Sequence, residues 1–168
     1  MLQLSKNEWG VREFNKEVWL RDHPKHTINA DGTIDIDGIV SIELSVITTL
    51  PFRFGRVTGS FYCSYNYLTS LEGSPVWVGG DFYCQQNCLT TLQYAPEYVG
   101  GNFICAANKL TSLEHMPGYI GGNVEAQINP GNFTAEYIKA SIAAAAARKY
   151  IRTLSYDDEV QDMGSIFD

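Results

Sequence analysis

Hydrophobic and polar residues recur through the middle of the chain with a period of 21 positions. Three gapless units read SFYCSYNYLTSLEGSPVWVGG (60–80), DFYCQQNCLTTLQYAPEYVGG (81–101) and NFICAANKLTSLEHMPGYIGG (102–122). A fourth unit starts at Asn123 and breaks at Pro130, and a degenerate opening unit precedes the three. Such a period indicates a solenoid, because one unit buries too few apolar side chains to fold alone while stacked units share their faces.

The start of each unit predicts a short strand. In the unit 81–101, Phe82 and Cys84 alternate with Tyr83, so the first two face one way and the tyrosine the other. Stacked strands predict a parallel sheet along one side of the solenoid. The recurrent Asn66, Asn87 and Asn108 are expected at the inner bend, where their amides bond unpaired backbone groups. The Gly-Gly pairs are expected at corners too tight for a Cβ.

The pattern F-x-C-x-x-N-x-L-x-x-L resembles the leucine-rich repeat, and the short unit resembles the bacterial subtype found in secreted effectors. The phrase LTSLE…P…VGG is also similar to small repeat proteins of tailed phages. The resemblance covers about residues 38–130. It implies an α/β solenoid, a right-handed coil with one parallel β-sheet, and recognition of a partner through that sheet. In the bacterial subtype the corresponding leucine and proline are adjacent, whereas Leu92 and Pro96 are not. Another parallel β-solenoid is the structural alternative.

The N-terminal residues 1–37 are predicted to cap the solenoid, whose end coils expose apolar side chains and strand edges. Ser5 and Glu8 fit a capping box, and the apolar residues behind them share one helical face: Val11, Phe14 and Val18. A hairpin about Asp31-Gly32 is expected to follow.

Residues 131–154 are predicted to form a C-terminal capping helix. Thr134 is a good N-cap, Phe133 and Ile138 are placed as a hydrophobic staple, and the run Ala143–Ala147 favours helix. Residues 155–168 carry five acidic side chains and no basic one. We expect them to form an acidic tail.

The charge balance narrows the class of partner. The chain has 168 residues, a net charge of −7 and a pI near 4.9, which argues against nucleic acid or an anionic membrane surface. No apolar run is long enough to span a bilayer, and the N-terminal residues lack the apolar stretch of a signal peptide. We expect a cytoplasmic protein, in the bacterial host if a phage encodes it, with reduced cysteines.

No motif for catalysis, a metal or a cofactor is present. The ladder Cys63, Cys84 and Cys105 is interpreted as core, since each cysteine follows an inward Phe by two positions. Cys88 is the best candidate for a reactive thiol, but no histidine is placed beside it by any motif. The aspartates before Gly38 do not fit a calcium loop, because carboxylates are missing from its first and last positions.

The outward side of the predicted sheet carries the candidate binding residues. Only five charged side chains fall within residues 60–122. A surface rich in tyrosine and amide groups and poor in charge is typical of the core of a protein interface. The candidate partner-binding residues are Tyr62, Tyr65, Tyr67, Tyr83, Gln85, Gln86, Ile104 and Lys109.

Other interpretations of these residues remain open. The tyrosines could merely cover the sheet, or Tyr62, Tyr65 and Tyr83 could stack on sugars in a glycan-binding module. An enzyme working through Cys88 is a third hypothesis. The row Trp77, Tyr98 and Tyr119 is expected to stack along the convex edge for stability, with a second contact surface or self-association as its alternative.

Taken together, these patterns predict a non-enzymatic module that binds a partner protein of unknown identity. The resemblance to phage and bacterial repeat proteins suggests a phage-encoded inhibitor of a bacterial enzyme or defence system. No cofactor is expected.

Overall fold

The computed structural model describes residues 5–6, 12–13, 16–23 and 25–164, with side chains described for 17–23 and 25–149. This part of the chain forms a parallel β-solenoid of about four coils, followed by a long helix. Each coil gives one short strand to each of two sheets. The predicted solenoid is confirmed. The expectation of one sheet is corrected, because the aromatic and β-branched pairs before each Gly-Gly are also extended.

The five-stranded sheet follows the 21-residue period directly. Phe61 pairs with Phe82, Phe82 with Phe103, and Phe103 with Val124, all in parallel register. The repeat period read from the sequence is therefore the register of the sheet. Its strands are β5 (Val40–Ser41), β7 (Phe61–Tyr62), β9 (Phe82–Tyr83), β11 (Phe103–Ile104) and β13 (Val124–Glu125).

The six-stranded sheet lies on the other side of the core and begins with a hairpin. Its first two strands are antiparallel, joined by a turn with Gly32 at φ +79°, which confirms the hairpin expected about Asp31-Gly32. The remaining strands pair in parallel. The strands are β3 (His26–Ile28), β4 (Ile34–Ile36), β6 (Phe54–Val57), β8 (Trp77–Val78), β10 (Tyr98–Val99) and β12 (Tyr119–Ile120).

The N-terminal segment differs from the expected helix. Strand β1 (Ser5–Lys6) pairs antiparallel with β2 (Arg12–Glu13), and the helix α1 (Lys16–Asp22) begins only afterwards. A helix through Ser5 and Glu8 would have placed Gly10 in its interior, at a cost of about 1 kcal/mol relative to alanine. The other residues of the predicted face, Val11 and Phe14, lie outside the described part, as does Glu8.

The core lies between the two sheets and consists of stacked identical residues. Phe61, Phe82 and Phe103 stack with ring centroids 5.5 and 5.7 Å apart. The inward cysteines and leucines repeat in the same way, and each is buried. At the N-terminal end, Trp19 of α1 packs beside Phe52, 5.1 Å between ring centroids.

A ladder of buried asparagines closes the bend after four of the five strands of the five-stranded sheet, as expected, and Ser45 holds the same slot after β5. The Asn87 amide nitrogen donates to the carbonyls of Cys63 (3.0 Å) and Cys84 (3.1 Å). Its amide oxygen accepts the backbone N–H of Leu68 at 2.9 Å. One side chain thus satisfies backbone groups of two consecutive coils, and Asn66, Asn108 and Asn129 make equivalent bonds.

The glycine pairs are required by the close approach of consecutive coils. A Cβ on Gly100 would collide with the backbone oxygen of Gly79, and one on Gly101 with the carboxylate of Asp81. Neither glycine has a positive φ. Glycine is therefore required at these positions by the close approach of the next coil and not by a left-handed backbone conformation.

The helix α2 (Ala135–Gly164) follows the last coil. Thr134 is its N-cap, since its hydroxyl accepts the backbone N–H of Tyr137 at 3.1 Å. Ala145 is buried against the core, and the staple residues Phe133 and Ile138 are partly buried there. The helix continues past the expected end at Leu154, so residues 155–164 belong to it and not to a tail. Nothing between Leu154 and Gly164 breaks a helix, whereas glycine commonly ends one.

Candidate functional site

The candidate face is the outward side of the five-stranded sheet, called here the sheet face. Of the eight predicted residues, four are exposed to solvent, three are half-buried and one is buried. The exposed ones are Tyr65, Tyr67, Gln86 and Lys109; Tyr62, Tyr83 and Gln85 are half-buried, and Ile104 is buried. The sheet brings these residues onto adjacent coils, because parallel pairing in 21-residue steps aligns equivalent positions.

Tyr65 and Tyr67 stand on either side of the buried Asn66. Tyr65 has φ +56°, and the equivalent Gln86, Ala107 and Ile128 have φ +52°, +52° and +58°. This left-handed turn lets the asparagine point inward while its two neighbours point out. The asparagine ladder therefore presents the tyrosines, and Tyr67 is the most exposed of them, with 58% of its surface accessible.

Tyr62 and Tyr83 stack on each other across β7 and β9, with ring centroids 5.0 Å apart and an interplanar angle of 23°. The pKa of the Tyr83 hydroxyl is raised, first by partial burial and then by the neighbouring Asp81 carboxylate. That carboxylate also accepts the Asn102 backbone N–H at 2.7 Å and the Asn102 amide at 3.0 Å. The pair is thus a fixed aromatic platform with a polar edge.

Two outward positions of the sheet, Ile104 and Ser64, are buried and not accessible to a partner. Ile104 is only 6% exposed, because its in-register neighbours Tyr83 and Glu125 carry longer side chains on both sides of it. It is therefore removed from the set of accessible contact residues. Ser64 is buried too, and its hydroxyl donates to the Gln85 side-chain oxygen at 3.1 Å. Gln85 is correspondingly held in place.

The second aromatic row forms a continuous stack on the six-stranded sheet. Trp77 and Tyr98 stack at 5.2 Å, and Tyr98 and Tyr119 at 4.6 Å, both with an interplanar angle of 6°. The Arg56 guanidinium lies 3.5 Å from the centre of the Trp77 ring, a cation–π contact. The expected stacking is confirmed. The sequence interpretation missed that the row is part of a second sheet.

The cysteine ladder has the environment of core residues. Burial raises the pKa of the Cys63 and Cys84 thiols far above the ordinary value, and that of Cys105 to about 12. A thiol is a nucleophile only as thiolate, so these three are unreactive in the folded state. Cys88 is half-buried on the sheet face, between Tyr67 and Lys109 in register. The described residues contain no group of three or more His, Cys, Asp or Glu that could hold a metal ion.

Three exposed aliphatic residues at the N-terminal end of the sheet were not singled out from the sequence. Ile39, Leu44 and Val46 are 58%, 73% and 71% exposed. The 21-residue register could have located all three, since Ile39, Leu44 and Val46 occupy the slots of Ser60, Tyr65 and Tyr67 one coil earlier. In a hydrophobicity pattern, apolar side chains such as these are interpreted as core residues.

Comparison with protein-family profiles, with curated proteins and with solved structures finds no match. The fold and the site are therefore argued from this chain alone. Among the helices in the described part, none combines the length and the hydropathy needed to cross a bilayer.

Proposed function

We propose that this protein is a non-enzymatic, leucine-rich-repeat-like interaction module that binds a partner protein through the sheet face. The observation that carries the proposal is a run of tyrosines from two adjacent coils on one charge-poor surface. Tyr62, Tyr65, Tyr67 and Tyr83 supply it, with Gln86 and Lys109 beside them. Tyrosine offers a large contact area at low entropic cost and is enriched among residues that dominate binding energy.

The leucine-rich-repeat assignment rests on the asparagine ladder and the buried leucines that follow it. A second sheet in place of the usual convex connection is the departure from that family. In the same proposal, residues 1–37 act as the N-terminal cap, and the partner is a bacterial protein that a phage-encoded inhibitor would occlude. These finer statements rest on the resemblance in the repeat.

Protein binding is favoured over glycan binding by how the tyrosine rings are used. Sugar rings stack on free aromatic faces, but Tyr62 and Tyr83 already stack on each other at 5.0 Å. Stacking uses one face of each ring, so their edges, hydroxyls and outer faces remain for a ligand, and the edges and hydroxyls suit hydrogen bonds and packing in a protein interface. Of the three tyrosines in the glycan hypothesis, only Tyr65 keeps both ring faces unstacked in the described part of the chain.

The test is capture of partners from a bacterial lysate by the intact protein, identification by mass spectrometry, and titration with the purified partner. The variant Tyr62→Ala/Tyr67→Ala is expected to weaken binding about 30-fold, as for hot-spot residues. Tyr94→Ala/Tyr119→Ala is the matched control, because these tyrosines are exposed outside the sheet face. Circular dichroism checks that both variants fold.

Equal binding by the two double variants would contradict the proposal. Binding to a glycan array that Tyr65→Asn/Tyr67→Ser abolishes would replace it with the glycan hypothesis. An activity in lysate that Cys88→Ser removes would replace it with an enzyme.

A further inference from the structure

In the described part of the chain, the five-stranded sheet ends at its N-terminal side with β5, an edge strand that pairs with β7 on one side only. Val40 and Ile42 donate their backbone N–H groups to Ser60 O (3.0 Å) and Tyr62 O (2.9 Å) of the next coil. In a parallel ladder the intervening residue faces the other way, so the N–H and C=O of Ser41 point away from the sheet. No backbone bond to Ser41 is present in the described part of the molecule. Such an edge is a template for an added strand.

Exposed aliphatic side chains border this edge. Ile39 precedes β5, and Leu44 and Val46 follow it, all three largely exposed. Leu44 and Val46 have φ +53° and +57°, a conformation that aliphatic residues, and β-branched ones above all, rarely adopt. The slot of Leu44 has a positive φ in every coil, so this conformation belongs to the repeat, whereas the positive φ of Val46 is found in its own coil only. The edge therefore combines unused hydrogen-bonding groups with apolar anchors.

The space beside β5 fits one strand. Strands β4 and β5 belong to the same coil, yet the six-stranded sheet continues beyond β4 with β3, whereas the five-stranded sheet stops at β5. At the N-terminal end of the solenoid, the six-stranded sheet therefore has one strand more than the five-stranded sheet. A second whole copy of the chain would bring an end strand of its own six-stranded sheet, β3 if paired head to head or β12 if paired head to tail, into the position beside β4 that β3 already fills. A single extended segment would complete the layer.

We propose that β5 takes an extended peptide segment of a partner protein by strand addition. The segment bonds to the Ser41 backbone and rests apolar side chains on Ile39, Leu44 and Val46. Its inward side chains are small, because Val40 and Ile42 are already fully buried. The hydrogen bonds form at the edge of the sheet, while Leu44 and Val46 occupy the slots of Tyr65 and Tyr67 and extend the sheet face by one coil. Peptide binding at β5 does not need the tyrosines, so it is tested separately from the proposed function.

The probe is a capped synthetic peptide with the sequence of residues 121–129, GGNVEAQIN. It copies β13, the strand at the opposite end of the same sheet, with Val and Ala at the inward positions and Ile in the slot aligned with Leu44. In a ¹⁵N NMR titration of the full-length protein, we expect shifts confined to the amides of residues 39–46. Amide exchange at Ser41 is expected to slow at least tenfold. No shift at millimolar peptide would overturn the proposal.

Leu44→Asn/Val46→Gly tests the anchors without disturbing the fold, since asparagine and glycine accept a left-handed φ. We expect at least tenfold weaker peptide binding with a melting temperature that does not fall, because both changes relieve a left-handed φ. Ile128→Asn is the matched control, the same change in the same slot at the other end of the sheet, and it should bind the peptide like wild type. Equal weakening by the control would show that the peptide lies elsewhere.

Sedimentation velocity of the protein alone tests the other possible occupant of the edge, a second copy of the chain. We expect a concentration-independent monomer. Chains of molecules that both Leu44→Asn and Ile128→Asn dissolve would overturn the proposal in favour of head-to-tail association of copies.

Discussion

The two sheets carry aromatic rows of the same period, yet the rows serve different ends. On the six-stranded sheet, Trp77, Tyr98 and Tyr119 form an unbroken stack that starts at the Arg56 guanidinium. On the sheet face, the equivalent row has only one stacked pair, Tyr62 and Tyr83, and then changes to Ile104 and Glu125. The difference is that the first row keeps an aromatic residue in each of its coils, whereas the second row does not.

Continuity decides what a row of aromatic residues contributes in a solenoid. Strands about 4.8 Å apart bring identical planar side chains into stacking contact without further design, so an unbroken row stabilises each coil on the next. A row that changes residue type gives up part of that contact. In the proposed function, the sheet face gives up stacking in order to present varied chemistry to a partner, while the six-stranded sheet keeps its stack.

The largest effect is expected from breaking the asparagine ladder, which supports the sheet face only. Asn87→Ala leaves the buried N–H of Leu68 without its partner. It also removes one bond each from the carbonyls of Cys63 and Cys84, which keep their bonds to Asn66 and Asn108. At about 1–3 kcal/mol for the unsatisfied N–H and about 1 kcal/mol for each lost bond, we expect a loss of about 4 kcal/mol in the free energy of unfolding. Urea unfolding measures it.

The control for Asn87→Ala is Thr90→Ala, an exposed position in the same coil, expected to change stability by less than about 0.5 kcal/mol. Similar losses in the two variants would show that the ladder contributes little beyond its neighbours.

Alkaline pH should destabilise the protein through the five-stranded sheet. The inward residues of that sheet include buried thiols, whereas the six-stranded sheet has valines on its inward side. The folded state raises the pKa of Cys105 from 9.0 to about 12. Above pH 9 the unfolded chain loses this proton while the folded chain keeps it, so stability falls as pH rises, until about pH 12. The slope is about 1.4 kcal/mol per pH unit for each such thiol.

Cys105→Ala isolates this effect from the titration of tyrosines and lysines. Its unfolding free energy, measured by urea denaturation between pH 8 and 11, should fall less steeply than that of wild type by about 1.4 kcal/mol per pH unit. Parallel profiles for the two proteins would refute the assignment of the slope to Cys105.

The stacks themselves predict a smaller contrast between the sheets. Trp77→Ala removes a ring held between Arg56 and Tyr98, and we expect a loss of about 2 kcal/mol. Tyr62→Ala removes a ring with a single stacking partner and should cost about 1 kcal/mol. Thermal unfolding of both variants gives the ranking, and a larger loss for Tyr62→Ala would reverse our interpretation of the two rows.

The solenoid could be predicted because every coil repeats its period, so the register followed from aligning Phe61, Phe82 and Phe103. The second sheet could not, because the repeat aligns Trp77 with its equivalents without giving their backbone conformation, which depends on pairing with neighbours in adjacent coils. The ends were missed for a related reason. At the N-terminus, strand pairing of Ser5 prevails over the capping-box signal. At the C-terminus, the helix continues through the acidic residues after Leu154.

Within the candidate site, the positions on the strands could be predicted and their exposure could not. Alternation placed Ile104 outward, correctly as to direction, but its burial depends on the lengths of Tyr83 and Glu125 in neighbouring coils. The left-handed φ at Tyr65 and its equivalents was also hidden, because leucine, tyrosine, glutamine, alanine and isoleucine occupy that slot without any glycine.

The smallest predicted effect concerns a second left-handed row, in the connection that leads into the strands of the six-stranded sheet. Gly73, Tyr94 and His115 share one slot of the repeat, at φ +91°, +68° and +64°. His115 is exposed, so His115→Gly loses little packing and relieves a conformation that costs a non-glycine residue about 1–2 kcal/mol. Because glycine also gains entropy on unfolding, the net stabilisation is expected to be about 0.5 kcal/mol.

The adjacent exposed residue provides the control for His115→Gly. Glu114 has no positive φ, so Glu114→Gly brings only the entropic cost and should destabilise the protein by about 0.5–1 kcal/mol. Opposite signs in thermal unfolding would show that the chain keeps strain in its connections as well as at the sheet face. Destabilisation by both variants would mean that the His115 side chain contributes contacts that outweigh the strain of its turn.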